Sequence, residues 1–230
     1  MPTDVAPDRP SLHGFQELNH RIYGRVDDRH YSSWDILSNL ERFIMRAIKG
    51  VRKENDEKLR TNLVISLSWL FALMNRFHID LEDAVWQRFP MVCSYCGESP
   101  CACKALKPAT RLEISPDSAN RPGSLSGFQE MLAKIYPAES RTLEHAAIHL
   151  AEELGEVSEE IHSYEGTHDP KHFDNLGLES ADLFSCIIGV ANSAGLQMER
   201  EMGWFYRNGC HVCLKLPCRC DFRTSAEFQS

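Results

Sequence analysis

Four cysteines in the pattern Cys93-x2-Cys96-x4-Cys101-x-Cys103 recur 117 residues later as Cys210-x2-Cys213-x4-Cys218-x-Cys220. Upstream, Gly14-Phe15-Gln16-Glu17-Leu18 with Ile22-Tyr23 recurs after 113 residues as Gly127-Phe128-Gln129-Glu130-Met131 with Ile135-Tyr136. Two anchors in the same order, at nearly the same shift, mark the chain as two copies of one module. The small mismatch places a length change between the anchors. The modules read as residues 13–106 and 125–222, joined by a linker at 107–124 rich in Pro, Ser, Asn and Gly. Residues 1–12 read as a flexible lead-in and 223–230 as a tail.

Apolar residues recur at helical spacing within each copy. In copy one, residues 34–51 put Leu37, Leu40, Ile44, Ala47 and Val51 on one face; 51–60 read as a frayed end or loop, 63–77 as a strongly apolar helix and 81–88 as a short one. In copy two the helices read as 125–135, 141–164, 178–193 and 198–206, with a loop at 165–177. No alternating apolar–polar run bounded by turns occurs in either copy, so strands are not expected. Four helices per copy predict all-α, tandem helical bundles. Hydrophobic residues make up 43% of the chain, enough for packed cores.

Each copy ends in its cysteine set. Four thiolates within eleven residues can wrap one tetrahedral ion, giving two structural zinc knuckles with no open coordination position. Gly97 and Gly209, with Pro100 and Pro217, suit the tight turns required. Disulfides and an iron–sulfur cluster are the alternatives; a reducing compartment disfavours the first and the spacing disfavours the second. Cys186, alone on an apolar helix, reads as core packing. The start of the chain is polar and proline-rich, with no secretory signal, and the longest apolar run, 63–74, is too short to span a bilayer. A cytoplasmic protein is expected. The net charge of −8, without a basic block, argues against nucleic acid or a membrane surface as partner.

The acids are more informative than the net charge. Leu150, Leu154, Val157 and Ile161 form one helix stripe, and Glu153 and Glu156 share a flank of that helix. Glu179 and Asp182 repeat the spacing just before an apolar run at 183–191. Two packed helices would gather four carboxylates, whose repulsion a hard divalent cation such as Mg²⁺ relieves. A solvated acidic face is the plainer reading, but polar residues are costly on a helix that is apolar nearly all round. Copy one lacks the set: Glu179 and Asp182 align with Asn62 and Ile65, and Glu153 and Glu156 with Phe43 and Arg46.

The run Glu152-Glu153-x-x-Glu156, followed after a spacer by Glu179-x-x-Asp182 and an apolar helix, resembles the MazG-type all-α nucleotide pyrophosphohydrolases over about residues 127–206. The resemblance implies Mg²⁺-dependent cleavage of a nucleoside triphosphate to monophosphate and pyrophosphate. Glu153, Glu156, Glu179 and Asp182 would hold the metal, and Glu152 would position a second ion or a water. It also implies that copy one pairs with copy two as an intrachain pseudo-dimer; further association between chains stays open. His145 and His149 stack on the acidic helix and, with Asn192, are candidates for substrate contact; Lys171, His172, Arg200 and Arg207 are candidates for phosphate contact. Trp204 and Phe205 read as core, and Glu159 and Glu160 as solvated. Two other classes remain: a non-catalytic nucleotide sensor, and a zinc-knuckle interaction protein that binds no Mg²⁺.

Overall fold

The computed structural model of the chain describes residue 7 and residues 10–221. The expected tail and most of the lead-in lie outside them. The described residues form helices and no strand. Copy one comprises α1 (Leu12–His30), α2 (Ser33–Arg52), α3 (Asp56–Phe77) and α4 (Leu81–Arg88), with a single turn, α5 (Cys103–Leu106), at the end of its knuckle. Copy two comprises α6 (Leu125–Ile135), α7 (Leu143–Thr167), α8 (Pro170–Ser193) and α9 (Met198–Phe205). Among the described residues, no helix is long and apolar enough to cross a membrane.

Side-chain caps set most helix starts. Ser11, Ser32, Asn55, Asp80, Ser124, Thr142 and Asp169 each accept a hydrogen bond from a first-turn amide. The stretch 51–60, expected as a frayed end or loop, and the expected loop at 165–177 are both largely helical. Asn55 caps α3 about two turns before the expected helix at 63–77, with Asp56 and Glu57 in the favourable first turn. Asp169 caps α8 and Pro170 occupies the first turn, where its missing N–H costs nothing. The loop at 165–177 thus narrows to His168 and Asp169, with His168 in the left-handed conformation. Each added stretch carries one buried leucine, Leu59 or Leu176, among charged and polar residues, too little for periodicity to mark a helix.

The α2/α3 hairpin packs against the α7/α8 hairpin, α2 on α7 and α3 on α8. Gly50 allows the first hairpin to close: a Cβ there would lie 2.7 Å from the backbone nitrogen of Leu59. Leu40, Ile44, Leu63, Leu67, Leu150, Val157, Ile161, Leu183 and Ile187 are buried in the shared core. The duplication is visible in the hydrogen bonds. Gln16 donates to Asn75 Oδ1 (3.1 Å) and Ile79 O (2.8 Å), and accepts from Leu81 N. Gln129 repeats all three with Asn192 Oδ1 (2.8 Å), Leu196 O (2.7 Å) and Met198 N.

The knuckles cross over. The amide of Cys101 donates to Ile135 O on α6, in the other copy, at 2.8 Å. The amide of Cys218 donates to Ile22 O on α1 at 2.7 Å. Each cysteine set therefore docks on the first helix of the module it does not belong to. Likewise α4 packs on α8 and α9 on α3.

Candidate functional site

The α7/α8 hairpin brings Glu153, Glu179 and Asp182 together, with carboxylate oxygens within 4.8 Å of one another. Glu156, one turn after Glu153, shares a hydrogen bond with Glu179. Glu153, Glu156 and Asp182 line a cleft of about 630 Å³ between the acidic helices, the first knuckle and the end of α6. Burial first, then the charges of Asp182 and Glu156, push Glu153 up to about 7, against the pull of Arg111 and Arg88. Burial and the Asp182 charge push Glu179 up to about 8. Glu153 Oε2 and Glu179 Oε2 are buried and have no hydrogen-bond partner. Unpartnered hard oxygens beside a third carboxylate fit a hard divalent cation.

Two arginines from outside the acidic hairpin meet this cluster and a third shares the cleft, and no motif in the sequence announced them. Arg88, on α4 of copy one and only 8% exposed, donates through Nε to Asp182 Oδ1 (3.1 Å) and Oδ2 (3.0 Å), through Nη2 also to Asp182, and more weakly to Glu179 at 3.4 Å. Arg111, from the linker, donates to Asp182 Oδ2 at 3.0 Å. Arg141 lines the same cleft. Asp182 is thus the acid most engaged with cations already present.

The other sequence candidates divide. His145 and His149 line the cleft, with ring centroids 4.6 Å apart. Glu152 points away from it: it is 57% exposed and pairs with His149 at 2.9 Å. One residue off the Glu153/Glu156 flank is 100° round the helix, which takes Glu152 out of the cluster. Asn192 does not line the cleft either; its side chain holds Gln129. Lys171 pairs with Asp169, His172 with Glu160, and Arg200 with Glu201, while Arg207 lies over the Trp204 ring. None of these basic groups lines the cleft. Glu160, expected to be solvated, is tied to His172 and Asn175. Trp204, expected in the core, is 62% exposed. Cys186 packs on the core and forms part of the cleft wall, its thiol pushed up to about 12 by burial.

Copy one carries the counterpart of this cleft, filled. Phe43, Ile65 and Trp69 stand where copy two has Glu153, Asp182 and Cys186, and Tyr23, Cys210 and Cys218 stand where the cleft has Tyr136, Cys93 and Cys101. The remaining space is about 60 Å³. Large apolar side chains have replaced both the charge and the volume.

The two cysteine sets each converge on one point, and none of their thiols is in a disulfide. Cys93 and Cys103 sulfurs lie 3.6 Å apart and Cys96 and Cys101 4.0 Å; in the second set Cys210–Cys220 and Cys213–Cys218 lie 3.8 and 3.9 Å apart. A tetrahedral ion with arms of about 2.3 Å separates its sulfurs by about 3.8 Å. The fit to zinc is close, and each set could hold an ion. Burial raises the Cys93 thiol, but hydrogen bonds from Tyr136 and the Cys96 and Tyr95 amides outweigh it and bring it to about 7. The Cys210 thiol is drawn down to about 4, chiefly by its hydrogen bond from Cys218.

Comparison with protein-family models, curated proteins and solved structures finds no match to this chain. The described residues define the class by their own geometry: an all-α fold with two four-cysteine sets, each able to hold a metal ion, and a carboxylate cluster beside an arginine-lined cleft.

Proposed function

We propose that this protein is a Mg²⁺-dependent nucleotide pyrophosphohydrolase of the MazG type. It would split a nucleoside or deoxynucleoside triphosphate into the monophosphate and pyrophosphate. The two modules would act as an intrachain pseudo-dimer, with structural zinc in both knuckles. The observation that carries this reading is the pair of buried, unpartnered oxygens on Glu153 and Glu179, beside Asp182, with Glu153 and Asp182 lining an open cleft.

Glu153, Glu156 and Glu179 would hold Mg²⁺, with Asp182 contributing while it stays pinned by Arg88. When bound, Mg²⁺ neutralises phosphate charge and polarises the phosphoryl group. The value near 7 at Glu153 belongs to the metal-free site; as a ligand of Mg²⁺ the carboxylate would be ionised. Arg88 balances the negative charge of the cluster from below, while His145 and His149 offer ring nitrogens at the cleft wall. The test is a Mg²⁺-dependent hydrolysis screen across ribo- and deoxynucleoside triphosphates, with Glu153→Gln/Asp182→Asn as control. Phosphate plus diphosphate as products, or turnover that survives in the control, would refute it.

One observation favours a second reading. Because Arg88 and Arg111 already compensate Asp182, the site could bind a nucleotide without turnover, as a sensor. Mg²⁺-dependent nucleotide binding with no product would select that alternative.

A further inference from the structure

Only Ser94 and Tyr95 separate the first two cysteines of the first knuckle, and both hold Arg111. Its Nη1 donates to Ser94 Oγ at 2.9 Å, and its guanidinium carbon sits 3.9 Å from the centre of the Tyr95 ring. The backbone joins in, Leu112 N donating to Ser94 O at 3.3 Å. The far edge of the same guanidinium reaches Asp182 through Nη2. These contacts use two of its five N–H donors, and the side chain, 28% exposed, lines the cleft beside Lys104 and Arg141.

We infer that Arg111 is a phosphate-binding residue of this site, presented to it by the first cysteine knuckle, so that the metal in that knuckle sets the affinity of the cleft for polyphosphate. The inference rests on the nucleotide reading above and adds the element that delivers a basic group to it. An arginine fork is suited to phosphate oxygens, and here it is pre-oriented by stacking and by a hydroxyl. What fixes that cradle is the knuckle, a short loop whose thiolates need an ion to converge. The second knuckle shows that docking alone does not demand such a cradle. There His211 and Val212 replace Ser94 and Tyr95, and the loop closes over the filled pocket, with His211 Nδ1 2.8 Å from Tyr23 Oη.

The test is a double-mutant cycle read by calorimetry, with inorganic pyrophosphate as probe, in Mg²⁺, on the full zinc-loaded chain. Arg111→Met should weaken binding by about tenfold to a hundredfold, the loss of a charge-assisted pair. Cys101→Ser, verified as helical and short of one zinc per chain, should weaken it similarly. The double variant should bind no more weakly than Arg111→Met alone. Equal factors for Cys101→Ser in both backgrounds, or wild-type affinity in Arg111→Met, would overturn the inference. If Cys101→Ser does not fold, Ser94→Ala takes its place in the cycle, because it keeps all four thiolates. Failure of the underlying reading has a different signature: wild-type protein whose pyrophosphate binding ignores both Mg²⁺ and Glu153→Gln/Asp182→Asn.

Discussion

Replacing Arg88 with phenylalanine, the residue at the equivalent position 205 of copy two, isolates the electrostatics of the cleft floor. The Arg88 and Asp182 side chains are 8% and 7% exposed, and Glu179 is 18% exposed. Removing the guanidinium leaves buried carboxylates without their main counter-charge, a loss of about 3–5 kcal/mol. Arg111 keeps its hydrogen bond to Asp182, and Glu179, already raised to about 8, is protonated near neutral pH. Both place the expected loss near about 3 kcal/mol, or roughly 6–12 °C in Tm for a chain of this size. Copy one shows the compensating change, since Ile65 occupies the position equivalent to Asp182. Arg88→Phe/Asp182→Ile should therefore recover most of the loss. Saturating Mg²⁺ should stabilise the single variant more than the wild type, by ligand linkage. Urea unfolding followed by far-UV circular dichroism, with and without Mg²⁺, measures all three. A loss in Arg88→Phe below about 1 kcal/mol, the worth of an exposed pair, would refute the reasoning. So would a double variant no more stable than the single one.

The raised acids give a pH signature. Their folded-state values lie near 7 and 8, above the ordinary value of 4.5, so their contribution is fully present below about pH 4.5 and is lost as pH rises through 7 and 8. Metal-free protein should lose stability across that window, and Glu153→Gln/Glu179→Gln should flatten the slope of unfolding free energy against pH. Phe43→Ala should cost about 3–5 kcal/mol by opening a cavity in the filled pocket, whereas Glu153→Ala should raise stability at pH 8; chemical denaturation of the two variants checks the contrast. Native mass spectrometry should find two zinc ions per chain, and a strong chelator should lower Tm, with both losses reversed by added zinc.

Much of the architecture was readable because it is periodic. The apolar stripes marked the helices, and α4 and α6 run over the same residues, 81–88 and 125–135, that the stripes delimit. The cysteine spacing marked the knuckles. What the sequence hid is what arises between modules. Arg88 and Arg111 meet Asp182 across 94 and 71 residues, through the packing of α4 on α8 and the crossing of the knuckle. A signal did exist in the repeat: Arg88 faces Phe205 in the alignment just as Asp182 faces Ile65, a paired change from charged to apolar. The repeat also explains Asn192. Its counterpart Asn75 makes the same glutamine contact in the copy without acids, which marks a structural role. Glu152 lies one residue off the Glu153/Glu156 flank, and in the fold it is exposed and pairs with His149.

The most direct test of the account is product analysis with a triphosphate labelled at the γ-position, incubated with Mg²⁺ and either wild-type protein or Glu153→Gln/Asp182→Asn. The account predicts label released as pyrophosphate by the wild type and none by the double variant. Label released as inorganic phosphate, or equal release by both proteins, would contradict it.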